Sequence, residues 1–226
     1  MLSVISAALA PGLALLCYFY LRDQYESEPV GMVLKTFIYG ALLVFPVMMI
    51  QFAFETESVW QGTLAQSFVV NGLLEEFVKW FVVIYSAYHH SVFNERYDGI
   101  VYATAVSLGF ATVENFFYLY AYGIDYALYR ALLPVSSHAL FGVSMGYYIG
   151  KAKFSTKKKT FLFYALMSAA LLHGFYDFML SAQKAWLYVL IPFMVYLWWS
   201  ALKKVKLSHL HQQDWMRTVP ASKQKS

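Results

Sequence analysis

Long apolar stretches separated by short polar loops occupy most of the chain. A helix needs about 20 apolar residues to cross the hydrocarbon core of a bilayer. Seven stretches reach this length, at residues 2–21, 30–54, 64–88, 98–121, 130–150, 160–181 and 184–202. The pattern predicts an all-α polytopic membrane protein with about seven transmembrane helices.

The composition agrees with this fold class. Of the 226 residues, 60% are hydrophobic and only 13% are charged, with a mean hydropathy of +0.50. We expect one transmembrane domain over residues 1–202, followed by a polar cytoplasmic tail over 203–226 that is too short to fold alone. The single cysteine, Cys17, excludes an intrachain disulfide and a cluster of thiolate zinc ligands.

The basic residues predict the orientation, because Lys and Arg are enriched in cytoplasmic loops. Thirteen of the 17 lie in the first, third and fifth loops and in the tail. Only Arg130 and Lys184 lie on the opposite side, while Lys35 and Lys79 fall within spans. We therefore expect the N-terminus outside and the C-terminus in the cytoplasm. The net charge of +4 reflects this bias, so we expect contacts with the lipid bilayer and none with nucleic acid.

Four of the predicted spans contain acids, amides or histidines near the depth of the bilayer centre. Such residues are costly in a membrane, so they are functional-site candidates. The predicted orientation places all of them between the middle and the extracytoplasmic half, where they can share one polar site. The set is Asn71, Glu75, Glu76 and Lys79 in the third span, Glu114 and Asn115 in the fourth, His138 in the fifth, and His173 and Asp177 in the sixth.

The third span carries two adjacent glutamates. Asn71, Glu75 and Lys79 follow the i, i+4, i+8 spacing of one helix face, and Glu76 is rotated by about 100° from Glu75. A purely structural alternative is an ion pair between Glu75 and Lys79, with Glu76 bonded to a neighbouring helix. We favour a functional role for at least one glutamate, because burying two acids for structure alone is costly.

The two histidines predict either a metal site or a hydrogen-bonded pair. A lone histidine in a membrane helix often bonds a neighbouring helix. Two histidines and one carboxylate, with an open fourth position, are a known catalytic zinc arrangement. The candidate ligands are His138, His173 and Glu76, and Asp177 lies one turn from His173, where it can orient the imidazole. Such a site requires the two imidazoles and a glutamate to lie within about 8 Å of one another.

The remaining candidates have weaker signals. Glu114 can serve as a ligand, as an acceptor for a histidine, or in helix packing. Asn115 can donate a hydrogen bond to a developing oxyanion. Four histidines lie outside the apolar stretches, and we expect them to be exposed and without a role: His89, His90, His209 and His211.

These residues and their surroundings resemble the PrsW family of intramembrane proteases, in an ordered set of motifs that covers nearly the whole chain. The central elements are EExxK at Glu75 to Lys79 and FxxxEN at Phe110 to Asn115. The others are Glu28-Pro29, Tyr97-Asp98-Gly99, Arg130 to Val135 leading to His138, and His173-Gly174 with Tyr176-Asp177.

The resemblance implies an endopeptidase of the bacterial cell membrane. Such an enzyme makes the first cut in a single-pass anti-sigma factor, on its extracytoplasmic side, and so starts a stress response. The family is distantly similar to the CAAX prenyl endopeptidases, in which a glutamate is thought to activate water. This chain departs from those enzymes by presenting Glu114 where they have histidine, and Asp177 where they often have asparagine.

The resulting interpretation is peptide hydrolysis by water activated at Glu75 or Glu76. His138 and His173 would act as metal ligands, with zinc as the candidate ion, or as acid and oxyanion stabiliser. Lys79 would tune the glutamates. Two alternatives remain: an ion- or proton-coupled transporter, for which intramembrane acids are equally ordinary, and a CAAX-type prenyl-protein endopeptidase.

The predicted orientation can be tested with reporter fusions. A reporter placed after residue 60 should be active outside the cell, and one placed after residue 206 should be active in the cytoplasm, because the basic residues retain the fifth loop and the tail inside. Alkaline phosphatase and green fluorescent protein fusions measure the two sides. Finding both reporters on one side would contradict the seven-span arrangement.

Overall fold

The computed structural model describes residues 1–181 and 186–218, which are helical except for the connecting loops. The long α-helices are α1 (Leu2–Tyr20), α2 (Val30–Thr56), α5 (Asp98–Tyr122), α7 (Ser136–Lys153), α8 (Lys158–Leu180) and α9 (Trp186–Thr218). Shorter ones are α3 (Thr63–Ala65), α4 (Leu74–Val83) and α6 (Ala127–Arg130). Three π-helical segments, Gln66–Leu73, Ile84–Tyr88 and Ala131–Val135, and a 3₁₀ turn at Ile124–Tyr126 join some of these helices.

The prediction of an all-α polytopic membrane protein is confirmed. Five helices, α1, α2, α5, α8 and α9, are long and apolar enough to cross a membrane. The other two predicted spans are composite helices. The first joins α3 and α4 with π-helical segments, and the second joins α6 and α7. Both composites are divided into shorter segments, and the first also carries three charged residues, so the number seven is approximate.

Helix α5 lies at the centre of the bundle. Residues 98–112 are all buried, which is expected of a helix surrounded by others. Helices α1, α2 and α7 pack against α5, α8 packs against α7, and the π-helical segment Gln66–Leu73 packs against α8. This order places α4, α7 and α8, which carry the polar candidates, next to one another.

Glycines allow α5 and α7 to approach backbone to backbone. A Cβ atom on Gly146 would lie 2.2 Å from the carbonyl oxygen of Gly99, and one on Gly150 would lie 2.0 Å from that of Arg96. Small residues let membrane helices pack closely, where van der Waals contact replaces the hydrophobic effect. The position of α7 therefore depends on these contacts.

Helix α9 continues well beyond the predicted end of the seventh span at residue 202. Its last described turns pack back onto the protein, and Val205 and Gln212 are buried. The expectation that His209 is exposed is wrong: its ring is 7% exposed and stacks on Tyr97, with ring centroids 4.6 Å apart. Residues 219–226 and Lys184 lie outside the described residues.

Substituting Gly146 with Ala tests the contact between α5 and α7. The added methyl group would displace the backbone of Gly99, and we expect a loss of about 1 to 3 kcal/mol in the free energy of unfolding. Thermal unfolding in detergent measures it. Gly31→Ala is the control, since no atom lies within 4 Å of its added Cβ. Equal unfolding midpoints for the two variants would contradict the close contact.

Candidate active site

The paired glutamates lie in the first turn of α4, immediately after a π-helical segment. Glu76 is completely buried and Glu75 is 8% exposed. A π-helical turn inserts extra backbone and re-aims the side chains that follow it. Within that segment, a Cβ atom on Gly72 would lie 2.8 Å from the carbonyl oxygen of Ala170, so the chain here lies close to α8. The glutamates consequently face α7 and α8.

Lys79 places its ammonium group between the glutamates and a histidine. Its Nζ atom lies 2.8 Å from Glu76 Oε1, 3.2 Å from Glu75 Oε2 and 3.2 Å from His138 Nδ1. The same atom lies 4.0 Å from the centre of the Phe110 ring. The ammonium group thereby offsets two negative charges that would otherwise be buried without a partner.

The contacts of His138 determine its tautomer. A lysine ammonium group only donates hydrogen bonds, so Nδ1 of His138 accepts from Lys79. The proton of the neutral imidazole is then on Nε2, which donates to Glu114 Oε2 at 3.0 Å. One of the roles expected for Glu114, that of acceptor for a histidine, matches this contact.

His173 is held mainly by Glu76. Its Nδ1 atom lies 3.0 Å from Glu76 Oε1, while its Nε2 atom is 3.8 Å from Asp177 Oδ2. The hydrogen bond that orients this ring is the one that Nδ1 donates to the carboxylate of Glu76. Asp177 lies too far away for a direct hydrogen bond to the ring. Asp177 itself accepts a hydrogen bond from Asn71 Nδ2 at 2.7 Å.

Residues from three helices therefore converge as the sequence predicts. The ring centroids of His138 and His173 are 5.1 Å apart, within the limit of about 8 Å. Each of four residues offers one possible metal-ligand atom, and these atoms all lie within 4.8 Å of one another: Glu75, Glu76, His138 and His173. All four residues are buried, and Glu75 is the most exposed of them at 8%.

A polar cavity of about 700 Å³ leads to this cluster. The end of α8 and the segment that follows α2 contribute residues to its lining, among them Gln61, Thr63 and Ser181. Glu75, His138 and His173 line it as well. The side chain of Glu75 is 11% exposed and that of Glu76 is 0% exposed, so only the first glutamate contacts the cavity.

Arg130 is a cavity residue to which the sequence argument gave no chemical role, although it lies in the motif that leads to His138. Its Nη2 atom forms an ion pair of 3.2 Å with Glu114 Oε1, and its Nε atom donates to Asn115 Oδ1 at 3.2 Å. Asn115 in turn donates to the carbonyl of Ala8 on α1 at 3.3 Å. The oxyanion-donor role considered for Asn115 does not fit, because its amide holds Arg130 and α1 rather than lining the cavity.

Gln51 on α2 was also missed. Its Nε2 atom donates to Glu75 Oε1 at 3.1 Å and so fixes the glutamate that contacts the cavity. The available signal was an amide in an otherwise apolar span, which is the same criterion that identified the other site residues. For Arg130, the signal was its place in the motif that leads to His138.

The cluster is chemically suited to a zinc ion. Two imidazoles and a carboxylate are established zinc ligands. Glu76 Oε2 is buried and has no hydrogen-bond donor among the described residues, so a lone pair remains for a cation. The four candidate ligand atoms lie within 4.8 Å of one another. Binding through Nδ1 of His138 would require the ammonium group of Lys79 to move away from that nitrogen.

Comparison with known proteins agrees with this geometry. The profile of the family described as "PrsW family intramembrane metalloprotease" matches residues 28–201. The chain belongs to the PrsW family. "Protease PrsW" of Bacillus subtilis (strain 168) is 54% identical over 208 residues, covering 91% of this chain and 95% of that protein. The chain is therefore an intramembrane peptidase.

Two further relatives show the same similarity over most of the chain. "Protease PrsW" of Geobacillus kaustophilus (strain HTA426) is 55% identical over 207 residues, covering 91% of this chain and 92% of its own. That of Clostridioides difficile (strain 630) is 34% identical over 210 residues, covering 88% of both. No solved structure matches the chain.

Replacing Lys79 tests the charge balance of the site. Lys79→Met leaves Glu75 and Glu76 buried without their cation, and breaking a buried ion pair in this way costs about 3 to 5 kcal/mol. Thermal unfolding in detergent should therefore show a large loss of stability. The double variant Glu76→Gln with Lys79→Met should recover part of it, because only one carboxylate then lacks a cation.

Lys35→Met serves as the matched control, since Lys35 lies in a predicted span but is exposed. A Lys79→Met protein as stable as the Lys35→Met protein would show that the ammonium group does not balance the glutamates.

Proposed function

We propose that the protein is an endopeptidase that makes the first cut in a single-pass anti-sigma factor, on the extracytoplasmic side of the bacterial cell membrane. Release of the sigma factor would then start a stress response. The observation that carries the proposal is the polar cavity that leads to buried glutamates and histidines. Membership in the PrsW family supports the same reaction class.

Glu75 is the residue best suited to activate water. Its carboxylate lines the cavity, whereas Glu76 is fully buried behind it. Gln51 donates to one oxygen of Glu75 and Lys79 to the other, and the two hydrogen bonds hold the carboxylate in position. A fixed carboxylate at the wall of the cavity can accept a proton from water as the water attacks the peptide carbonyl.

His138, His173 and Glu76 would hold a zinc ion. When bound, zinc polarises a carbonyl oxygen and lowers the pKa of a water molecule. Without a metal, the same histidines would supply the acid and the oxyanion stabiliser. Because Glu76 also orients His173, it has a role in either version.

Arg130 provides a positive charge at the wall of the cavity. Its ion pair with Glu114 and its hydrogen bond to Asn115 fix the guanidinium group. A fixed cation in a water-poor site stabilises charge that develops on the reacting carbonyl oxygen. Lys79 lies behind the glutamates and holds their charge, so Arg130 is the cation better placed to contact substrate.

Orientation determines which side the substrate enters from. The cavity is lined by Gln61 and Thr63 after α2 and by Ser181 after α8. The distribution of Lys and Arg assigns both of these segments to the extracytoplasmic side. A membrane-spanning substrate would accordingly present the segment just outside its helix to the cavity, and the cut would fall there.

Substitution of the glutamates tests the reaction. Glu75→Gln retains the shape and removes the base, and we expect cleavage of a co-expressed, tagged single-pass anti-sigma factor to fall by about 10² to 10⁴-fold. Glu76→Gln should reduce cleavage as well, through His173. Immunoblots measure the cleaved fraction and the amount of protease. Glu57→Gln, at an exposed position, is the control; unchanged cleavage in both active-site variants would refute the proposal.

The metal is tested with the same protein after purification. We expect about one zinc ion per chain by elemental analysis, and a lower content in His138→Ala and His173→Ala. A strong chelator should stop cleavage and added zinc should restore it. Cleavage that continues at the full rate in metal-free protein would favour the version without metal and leave the role of Glu75 unchanged.

A further inference from the structure

A second group of acids, two of them buried and one half-buried, lies far from the active site. It consists of Asp23 and Glu28 in the segment between α1 and α2, and Asp98 at the start of α5. Glu28 and Gln51 flank most of α2, and 23 residues of helix span on the order of 35 Å. The two groups therefore lie toward opposite ends of α2, and the peptidase chemistry uses none of these three acids.

One carboxylate oxygen of Asp98 accepts hydrogen bonds, and the other has no hydrogen-bond donor in the described part of the chain. Its Oδ2 atom accepts hydrogen bonds from the backbone N–H groups of Asn94 and Glu95, at 2.7 and 2.6 Å. Its Oδ1 atom is buried and has no hydrogen-bond donor among the described residues, although the side chain is completely buried. A buried lone pair without a donor is unfavourable unless a cation or a proton binds it.

The neighbouring acids share this deficit of positive charge. Within residues 1–181 and 186–218, Asp23, Glu28, Glu95 and Asp98 form no ion pair with Lys, Arg or His. The nearby amine of Lys153 donates instead to the carbonyl of Tyr88 at 2.6 Å. Burial raises the pKa of Glu28 to about 7 and that of Glu95 to about 8.

We propose that Asp23, Glu28 and Asp98 bind a hard divalent cation such as Ca²⁺ or Mg²⁺. One oxygen from each residue lies within 4.8 Å of the others, which suits the Ca²⁺–oxygen distances of about 2.3 to 2.6 Å on either side of an ion. The donors are all carboxylates, and oxygen-only sites select these cations over zinc. Tyr102 donates its hydroxyl group to Glu28 Oε2 and orients that ligand.

The ion would reinforce the connection between parts of the chain that hydrogen bonds already join, since Tyr97 donates to the carbonyl of Phe19 and Tyr102 donates to Glu28. Asp23 and Glu28 belong to the first loop, whereas Asp98 begins the central helix α5. One cation bound by all three would fix the ends of α1 and α2 against α5. Binding would stabilise the folded chain by mass action, so that the unfolding temperature rises with cation concentration.

The test uses the full chain, purified in detergent and freed of metal with a chelator. Calorimetric titration with Ca²⁺ and then Mg²⁺ should show one saturable site, with a rise in the unfolding midpoint. Glu28→Gln and Asp98→Asn should each weaken binding by at least tenfold. Glu76→Gln, in the active site, should retain it and shows that the ion binds elsewhere; Glu57→Gln controls for the loss of a surface charge.

Three results would overturn the proposal. The first is no saturable binding of Ca²⁺ or Mg²⁺ by the wild-type chain, and the second is binding that disappears in Glu76→Gln. The third is an infrared band of protonated carboxyl groups that persists at saturating Ca²⁺ and is lost in Glu28→Gln, which would show that the acids share protons. This last measurement decides the matter with the wild-type chain and Glu28→Gln, even where Asp98→Asn fails to fold.

Discussion

The site depends on the buried ammonium group of Lys79, which contacts two carboxylates and an imidazole. Lys79 contacts Glu75, Glu76 and His138 at 2.8 to 3.2 Å, and no part of its side chain is exposed. Without that charge, two adjacent carboxylates would repel each other at a depth where water cannot screen them. With it, the two carboxylates share a cation, His138 has a defined tautomer, and Glu76 can orient His173.

Close packing of the central helices determines where these charged side chains and imidazoles lie. The histidines come from α7 and α8, and the glutamates from α4, so their positions depend on how three helices meet. Glycines at Gly99 and Gly146 set the approach of α7 to α5, and Gly72 does the same between the third span and α8. These contacts are between backbones, which move less than side chains. They therefore hold the glutamates and histidines at fixed separations.

The convergence can be predicted from the sequence, because the cost of placing a polar residue in lipid and the spacing of residues along a helix are both local properties of the chain. The expense of Glu75, Glu76, His138 and His173 in lipid identifies them, and the alternation of spans places them at one depth. The sequence does not predict that Glu76 rather than Asp177 bonds His173. Helix α8 is regular, so the choice depends on the neighbouring span, in which Glu76 bonds the imidazole and Asn71 bonds Asp177. Partners such as Gln51 and Arg130, and the burial of His209, depend on contacts between distant parts of the chain.

The division between five strongly apolar helices and two composite ones bears on how the protein enters the membrane. The helices that carry Glu75, Glu76 and His138 are not among the five described helices that are long and apolar enough to cross a membrane. The five apolar helices must therefore provide the surfaces against which these segments pack in the membrane. Helices α5 and α8 are their immediate neighbours. Because the acids and histidines come from different helices, they come together only when the bundle has assembled.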